Sequence, residues 1–150
     1  MAYQKQQRAE SKYEEHVLQA KRVASKNQGG TVIAFTALVL VGDKKGEAGY
    51  ALGKSKLMNQ AIKKAMEKAK ANTIKIDVTT GTLPYDILIK QGACKIYLKP
   101  APEGTGLVAG GAVRKVLELI GIKNATAKII GTRSKAMNVK CLFEELSKLK

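Results

Sequence analysis

The chain has 150 residues, with 27 Lys and Arg against 12 Asp and Glu and a formal net charge of +15. That length fits one domain or two small ones, and a hydrophobic fraction of 45% supports a packed core and excludes a disordered basic tail. So much positive charge opposes compaction unless a polyanion offsets it, and the common polyanions are nucleic acid and anionic membrane.

The charge is spread along the chain. Residues 1–75 carry 15 basic and 6 acidic side chains, and residues 76–150 carry 12 and 6, so both halves are expected to meet the polyanion. Aromatic residues are few: five Tyr, two Phe and no Trp. Readers of single strands stack bases on aromatic platforms, so the composition favours recognition of backbone and shape, with Tyr3, Tyr13, Tyr50, Tyr85 and Tyr97 left for any stacking. The first fifteen residues are polar and include Glu10, Glu14 and Glu15, unlike a secretory leader. The longest apolar run, Val32 to Val41 with Thr36 inside it, falls short of the ~20 residues of a membrane span and reads as a buried strand. Cys94 and Cys141 lie outside any CxxC or His/Cys cluster, which predicts two buried thiols in a reducing cytosol and no structural zinc.

In chain order, residues 3–20 predict a short helix or frayed arm, turning extended over His16–Ser25. Lys26-Asn27-Gln28-Gly29-Gly30 is a turn signal. Thr31–Val41 predicts a strand, Gly42-Asp43-Lys44-Lys45-Gly46 a hairpin turn and Glu47–Leu52 the returning strand, with the stretch before Gly29 as a third antiparallel strand. Residues 55–72 predict an amphipathic helix with Met58, Ile62, Ala65, Met66 and Ala69 inward, Ser55 as cap and Asn72 as stop. A three-stranded antiparallel sheet backed by a helix is the core of double-stranded-RNA-binding domains, although shared topology is not shared binding. A second set of elements is expected from Thr73–Lys75 onward. Ile74–Val78, Tyr85–Ile89 and Cys94–Leu98 predict strands, with turns at Thr79-Thr80-Gly81 and Lys90-Gln91-Gly92 and a Pro/Gly loop at Lys99–Gly106. A helix follows over Gly110–Ile120, ended by Gly121, then a short strand Ala127–Ile130 and a helix Asn138–Leu149 with Val139, Leu142, Phe143 and Leu146 inward. The expected fold is therefore α+β, with an arm at residues 1–16, a double-stranded-RNA-binding-like domain at 17–73 and a two-layer α/β domain at 74–150 ordered β-β-β-α-β-α.

Little in the sequence points to catalysis. Gly53-Lys54-Ser55 resembles the end of a phosphate loop, but the Gly needed five positions earlier is Ala48. Gly104-Thr105-Gly106 with Ala109 resembles a dinucleotide fingerprint, but no acidic residue stands near Asn124 to hold a ribose. His16 is the only histidine, and neither Tyr85-Asp86 nor Glu144-Glu145 is paired for acid–base work. The expectation is a non-enzyme with no cofactor, no metal and no small-molecule substrate. The basic residues carry the better signal. Lys21, Arg22 and Lys26 precede Gln28, Gly29 and Gly30; Lys44 and Lys45 occupy the next turn; Lys54 and Lys56 open the helix. Placed at the rim of a small sheet, they suit the backbone and 2′-hydroxyl contacts through which A-form RNA is recognised.

These stretches are similar to bacterial small-subunit ribosomal protein five, the S-five family, over about residues 17–149. The matching runs are Arg22-Val23 with Gly29-Gly30, Phe35-Thr36-Ala37-Leu38 with Val41-Gly42-Asp43 and Gly46, Gly49 with Gly53-Lys54, Ala61-Ile62-Lys63-Lys64-Ala65, Gly81-Thr82-Leu83, Pro100 with Gly104-Thr105-Gly106, Ala109-Gly110-Gly111-Ala112, Arg114 with Val116-Leu117-Glu118 and Gly121, Ala127-Lys128 with Gly131, and Asn138-Val139. The resemblance implies a structural constituent of the small ribosomal subunit, cytoplasmic and ribosome-bound, seated on ribosomal RNA at the body–neck region against the central pseudoknot. It implies small-subunit proteins four and eight as neighbours, with protein three nearby. It also implies a share in lining the pore through which messenger RNA enters, and an influence on decoding accuracy. Carried onto this chain, the Gly29-Gly30 loop is the one that reaches toward the head, Lys54 is the basic residue of the Gly-Lys motif, and Gly106 and Arg114 face protein four. Departures fall at Thr31 and Glu47, where Arg is usual, at Ala51, where Gly is usual, and at Ser134-Lys135 in place of Asn-Pro; the first two weaken the case for RNA contact at those positions.

Overall fold

A computed structural model describes residues 12–76 and 81–148. The apolar run becomes β2 (Gly30–Gly42), flanked by β1 (Glu14–Asn27) and β3 (Glu47–Ser55), both antiparallel to it. Alternation along a strand sends Ala37, Val39 and Val41 to one face and Leu38 and Leu40 to the other, and all five are buried. The run shows no polar alternation because both faces of its second half are covered.

The first face is covered by α1 (Met58–Ala71). Its buried stripe is Ala61, Ala65 and Ala69, with Ile62 and Met66 half-buried beside it; sequence reasoning gave the larger residues the central place. The reason lies on β3. A Cβ at Gly53 would collide with the carbonyl oxygen of Ala61, and one at Gly49 with that of Ala69. Helix and strand therefore meet backbone to backbone, and only alanine fits between them. The helix also starts later than predicted. Ser55 stays in β3 and donates its hydroxyl to Gln60 Oε1 at 2.9 Å instead of capping, while Leu57 takes the N-cap position without a side-chain bond. Asn72 ends the helix as expected, its N–H on the Lys68 carbonyl at 3.1 Å.

β4 (Thr73–Lys75) then pairs antiparallel with β3, Ile74 opposite Ala48, giving a four-stranded sheet in the order β1-β2-β3-β4. The strand predicted over 74–78 to open the second half thus belongs to the first sheet; Val78 and the turn at Thr79-Thr80 lie outside the described residues. So does half of the segment predicted as a short helix or frayed arm; the extended stretch expected from His16 is strand and begins two residues earlier, at Glu14, because pairing along β2 outweighs weak helical propensity.

The second half comprises β5 (Ile87–Gln91), β6 (Cys94–Pro100), β7 (Leu107–Val108), α2 (Gly111–Ile120), β8 (Ala125–Ile129) and α3 (Lys135–Leu146). Its sheet runs β5-β6-β8-β7, with β7 parallel to β8. The predicted β-β-β-α-β-α order is corrected at two strands: the one expected at 74–78 is not in this sheet, and β7, which the sequence pattern does not signal, is. Gly121 ends α2 in the left-handed region at φ 104°. α3 begins three residues before the expected Asn138, behind Ser134, and Leu149 lies outside the described residues. Ile87, Ile89, Cys94, Ile96, Leu98, Ala125 and Ala127 join Val113, Val116, Leu117, Leu142 and Leu146 in one core, and Leu38 and Leu40 belong to the same core.

Polar contacts reinforce that junction. The β2–β3 turn donates Lys44 N–H to the Leu119 carbonyl at 3.0 Å and Gly46 N–H to the Ile120 carbonyl at 2.9 Å. The Tyr50 and Phe143 rings meet at 4.8 Å between centroids. Asn138, buried in α3, accepts the Cys94 thiol at 3.2 Å and donates to the Thr132 carbonyl at 3.0 Å. Both cysteines are buried and free, and burial pushes the Cys94 thiol up to about 12, in keeping with an inert apolar role.

Glu47 ties the start of the described chain to the first sheet. Its carboxylate, 16% exposed, accepts Lys12 at 3.0 Å and the Tyr13 hydroxyl at 2.9 Å and pairs with Lys75 at 3.1 Å. The bonds from Lys12, Lys75 and Tyr13, in that order, hold it down at about 2.

Two outcomes follow from this packing. Gly53→Ala forces α1 off the sheet and lowers unfolding free energy by about 1–3 kcal/mol, read by urea denaturation. Glu47 titrates lower folded than unfolded, so its stabilisation is present above about 4.5 and is lost as pH falls toward about 2. The drop in melting temperature between roughly pH 6 and pH 3 is therefore smaller in Glu47→Gln than in the parent chain; equal drops in calorimetry refute that role.

Candidate nucleic-acid interface

The last β2–β3 pair is Phe35 with Ser55. Beyond it β1 and β2 continue alone as a two-stranded ribbon for about 15 Å, to the turn at Gln28 and Gly29. Gly30 takes φ 122°, and neither Gly29 nor Gly30 has any other part of the chain against its Cβ position. Lys21, Arg22, Lys26, Gln28, Gly29 and Gly30 are all exposed on this ribbon or its base. Thr36 stands opposite both Lys21 and Lys54. Paired residues share a face, so Lys21 and Lys54 lie together, while Arg22, opposite Phe35, and Lys26, opposite Thr31, occupy the other face. On the Lys54 face, a groove of about 350 Å3 is lined by Val23, Val32 and Ala34 and edged by Lys54 and Lys56.

Among the described residues no carboxylate forms an ion pair with Lys21, Arg22, Lys26, Lys54 or Lys56. Residues 17–42 and 48–66 hold no Asp or Glu. The first turn of α1, next to Lys54 and Lys56, has no acidic residue and no side-chain cap, so the positive pole of that helix adds to the same field.

Lys44 and Lys45 lie elsewhere. Gly42, where their turn begins, is about 20 Å along β2 from Thr36. The seven cations read from the sequence as one set therefore form two groups. Lys44, at φ 59°, pairs with Glu14 at 2.5 Å, which raises its pKa. Lys45 N–H donates to Asp43 Oδ1 at 2.7 Å, closing the turn. Lys44 also lines a second groove, of about 540 Å3, with Leu107, Arg114, Glu118 and Lys123. Of the two expected interface residues only Arg114 lines this groove, its guanidinium donating to the Leu107 carbonyl at 3.1 Å, while Gly106 N–H donates to Asn124 Oδ1 at 3.1 Å.

The glycine motifs do not build nucleotide cradles. Gly53, Lys54 and Ser55 are the paired end of β3, opposite Ala37, Thr36 and Phe35, whereas a phosphate loop needs free N–H groups. In the second motif Gly106 N–H is engaged by Asn124, and Thr105 N–H by the Pro102 carbonyl at 3.3 Å. His16 is half-buried in β1 opposite Leu40. Among the described residues no His, Cys, Asp and Glu cluster could hold a metal, and no helix is long and apolar enough to cross a membrane. Sequence reasoning passed over the open face of the second sheet, where Lys90, Lys95, Lys99 and Lys128 alternate with buried residues; the period-two pattern was its signal.

Comparison with known proteins bears on both halves. Residues 13–77 match the family described as ribosomal protein S5, N-terminal domain, and residues 89–150 match ribosomal protein S5, C-terminal domain. The chain is 45% identical over 146 residues to small ribosomal subunit protein uS5 of Ectopseudomonas mendocina, covering 97% of this chain and 87% of that one. It is 43% identical over 149 residues to the protein of the same name from Azotobacter vinelandii, covering 99% and 89%. The Pseudomonas aeruginosa PAO1 protein of that name is 44% identical over 149 residues, again with 99% and 89% covered. Two matched domains in the order of the two sheets, together with this identity across nearly the whole chain, establish that the chain belongs to the ribosomal protein S5 family.

Proposed function

We propose that the chain is a structural constituent of the small ribosomal subunit that grips ribosomal RNA through its first sheet. Members of this family are ribosomal proteins and not enzymes. The observation that carries the reading is the carboxylate-free distal end of the first sheet. There Lys21, Arg22, Lys26, Lys54 and Lys56 surround a ribbon with no covering element of its own. A-form RNA hides its base edges and offers phosphates and 2′-hydroxyls. A narrow ribbon with cations on both faces bridges such phosphates, and the Gly29-Gly30 tip lets backbone approach without side-chain hindrance.

The finer assignments rest on the family resemblance: a seat at the body–neck region, neighbours four and eight with three nearby, a share in lining the pore that messenger RNA enters, an effect on decoding accuracy, and a cytoplasmic ribosome. The groove lined by Arg114 and Lys44, with Gly106 next in sequence to its Leu107, is the surface assigned to protein four. Thr31 lies in the exposed ribbon, whereas Glu47 is taken up by Lys12, Tyr13 and Lys75, so a loss of RNA contact is expected at Glu47 rather than at the tip.

Sedimentation of a native lysate tests the reading. Phosphate contacts weaken about a thousandfold or more between roughly 50 and 200 mM salt for about six to ten contacts. A component held by RNA and neighbours stays stoichiometric with small subunits after a high-salt wash; release into the soluble fraction refutes the constituent role. Lys54→Glu weakens association with ribosomal RNA, and unchanged affinity at moderate salt counts against its placement. Arg114→Leu alters decoding accuracy, and normal misreading in cells carrying it removes that residue from the interface with protein four.

A further inference from the structure

The second sheet buries one face and leaves the other open. Along the open face stand Leu88 and Lys90 on β5, Lys95, Tyr97 and Lys99 on β6, Thr126 and Lys128 on β8, and Val108 on β7, every one exposed. The register fixes their neighbours: Leu88 opposite Tyr97, Lys90 opposite Lys95, Tyr97 opposite Lys128, and Lys99 opposite Thr126. Two lysines directly across a ladder repel each other, and the strands carry no carboxylate among residues 87–100 or 125–129 to relieve them.

At the centre is an aromatic ring. Tyr97 is 37% exposed and Leu88 beside it 58%. The Tyr97 hydroxyl donates to Asp86 Oδ2 at 2.7 Å, which fixes the ring on the sheet. Tyr50 and Tyr13, by contrast, are committed to Phe143 and Glu47. Lys95 and Lys99 stand two residues to either side of Tyr97, about 7 Å each way.

We propose that this open face binds unpaired RNA, one base stacking on Tyr97 and the flanking phosphates meeting Lys90, Lys95, Lys99 and Lys128. The site deepens the RNA-binding reading but is separate from the surface assigned to structured RNA on the first sheet. An aromatic side chain with lysines around it on a flat open sheet suits a splayed single strand, because any base offers a π-face and the backbone follows the charge. A duplex keeps its bases stacked inside, where the ring cannot reach them. A protein partner is the weaker fit, since it would have to supply at least four charges against one small apolar centre.

Titrating the full chain with a short oligouridine, read by fluorescence anisotropy, tests the site. Tyr97→Ala weakens binding about fivefold or more, while Tyr97→Phe, which keeps the ring, stays within about twofold. The double change Lys90→Gln with Lys95→Gln lowers the slope of log affinity against log salt by about 1.4. Affinity for duplex RNA stays the same in all three variants. Unchanged oligouridine affinity in Tyr97→Ala overturns this site; failure of the parent chain to bind either RNA overturns the wider reading instead. Ultraviolet cross-linking of small subunits, with thiouridine placed in the messenger in one sample and in ribosomal RNA in another, separates the two sources of unpaired RNA. A cross-link from Tyr97 to messenger or to ribosomal RNA supports the site and names its ligand, whereas no cross-link from this face in either sample refutes it.

Discussion

The molecule depends on one strand with two buried faces. Ala37, Val39 and Val41 belong to the seam under α1, while Leu38 and Leu40 belong to the core of the second half. A surface sheet exposes one face to water; here the second half of β2 has none to expose. The two halves are thus not beads on a linker. The β2–β3 turn docks by backbone bonds onto the end of α2, and any shift of β2 moves both cores. Burial of Leu38 and Leu40 contributes roughly 1.5–3 kcal/mol each, and that contribution exists only while both halves are in place.

Charge is arranged around this strand with equal economy. Three described carboxylates of the first half are paired at the end where the halves meet: Glu14 with Lys44, Glu15 with Lys70, and Glu47 with Lys12 and Lys75. Exposed pairs of this kind contribute about 0–1 kcal/mol each, so their larger effect is on the field. They neutralise the joined end and leave the distal end uncompensated, which gives the first sheet a direction that its net charge alone does not reveal. Glu47, where the family resemblance implies Arg, belongs to this neutral end.

Much of this was legible in the residues. The apolar run Val32–Val41 marked a buried strand, the Gly-rich turns marked the hairpins, and Gly121 and Asn72 stopped their helices because local backbone chemistry decides such ends. What escaped was decided by partners distant in sequence. The central place of Ala61, Ala65 and Ala69 depends on Gly49 and Gly53 in another element, so a hydrophobicity stripe drawn along the helix alone favoured Met58 and Met66. The sheet to which residues 73–75 belong is set by pairing with β3, not by their own alternation. The division of the basic residues into two groups is hidden from the sequence for the same reason: a strand about 40 Å long separates Lys26 from Lys44.

The ribbon beyond Phe35 also has a mechanical character. It is a cantilever, clamped where β3 and α1 hold its base and free along the rest of its length. Two strands without a third have little rigidity of their own, so the stiffness of the tip is set at the clamp, by the glycine–alanine contact between β3 and α1. A small rotation at that clamp is amplified along the lever into a larger sweep at Gln28 and Gly29. Substitutions deep under the helix therefore act on the reach of a tip they never touch, and a polyanion that seizes the tip transmits its load back into the core shared by both halves.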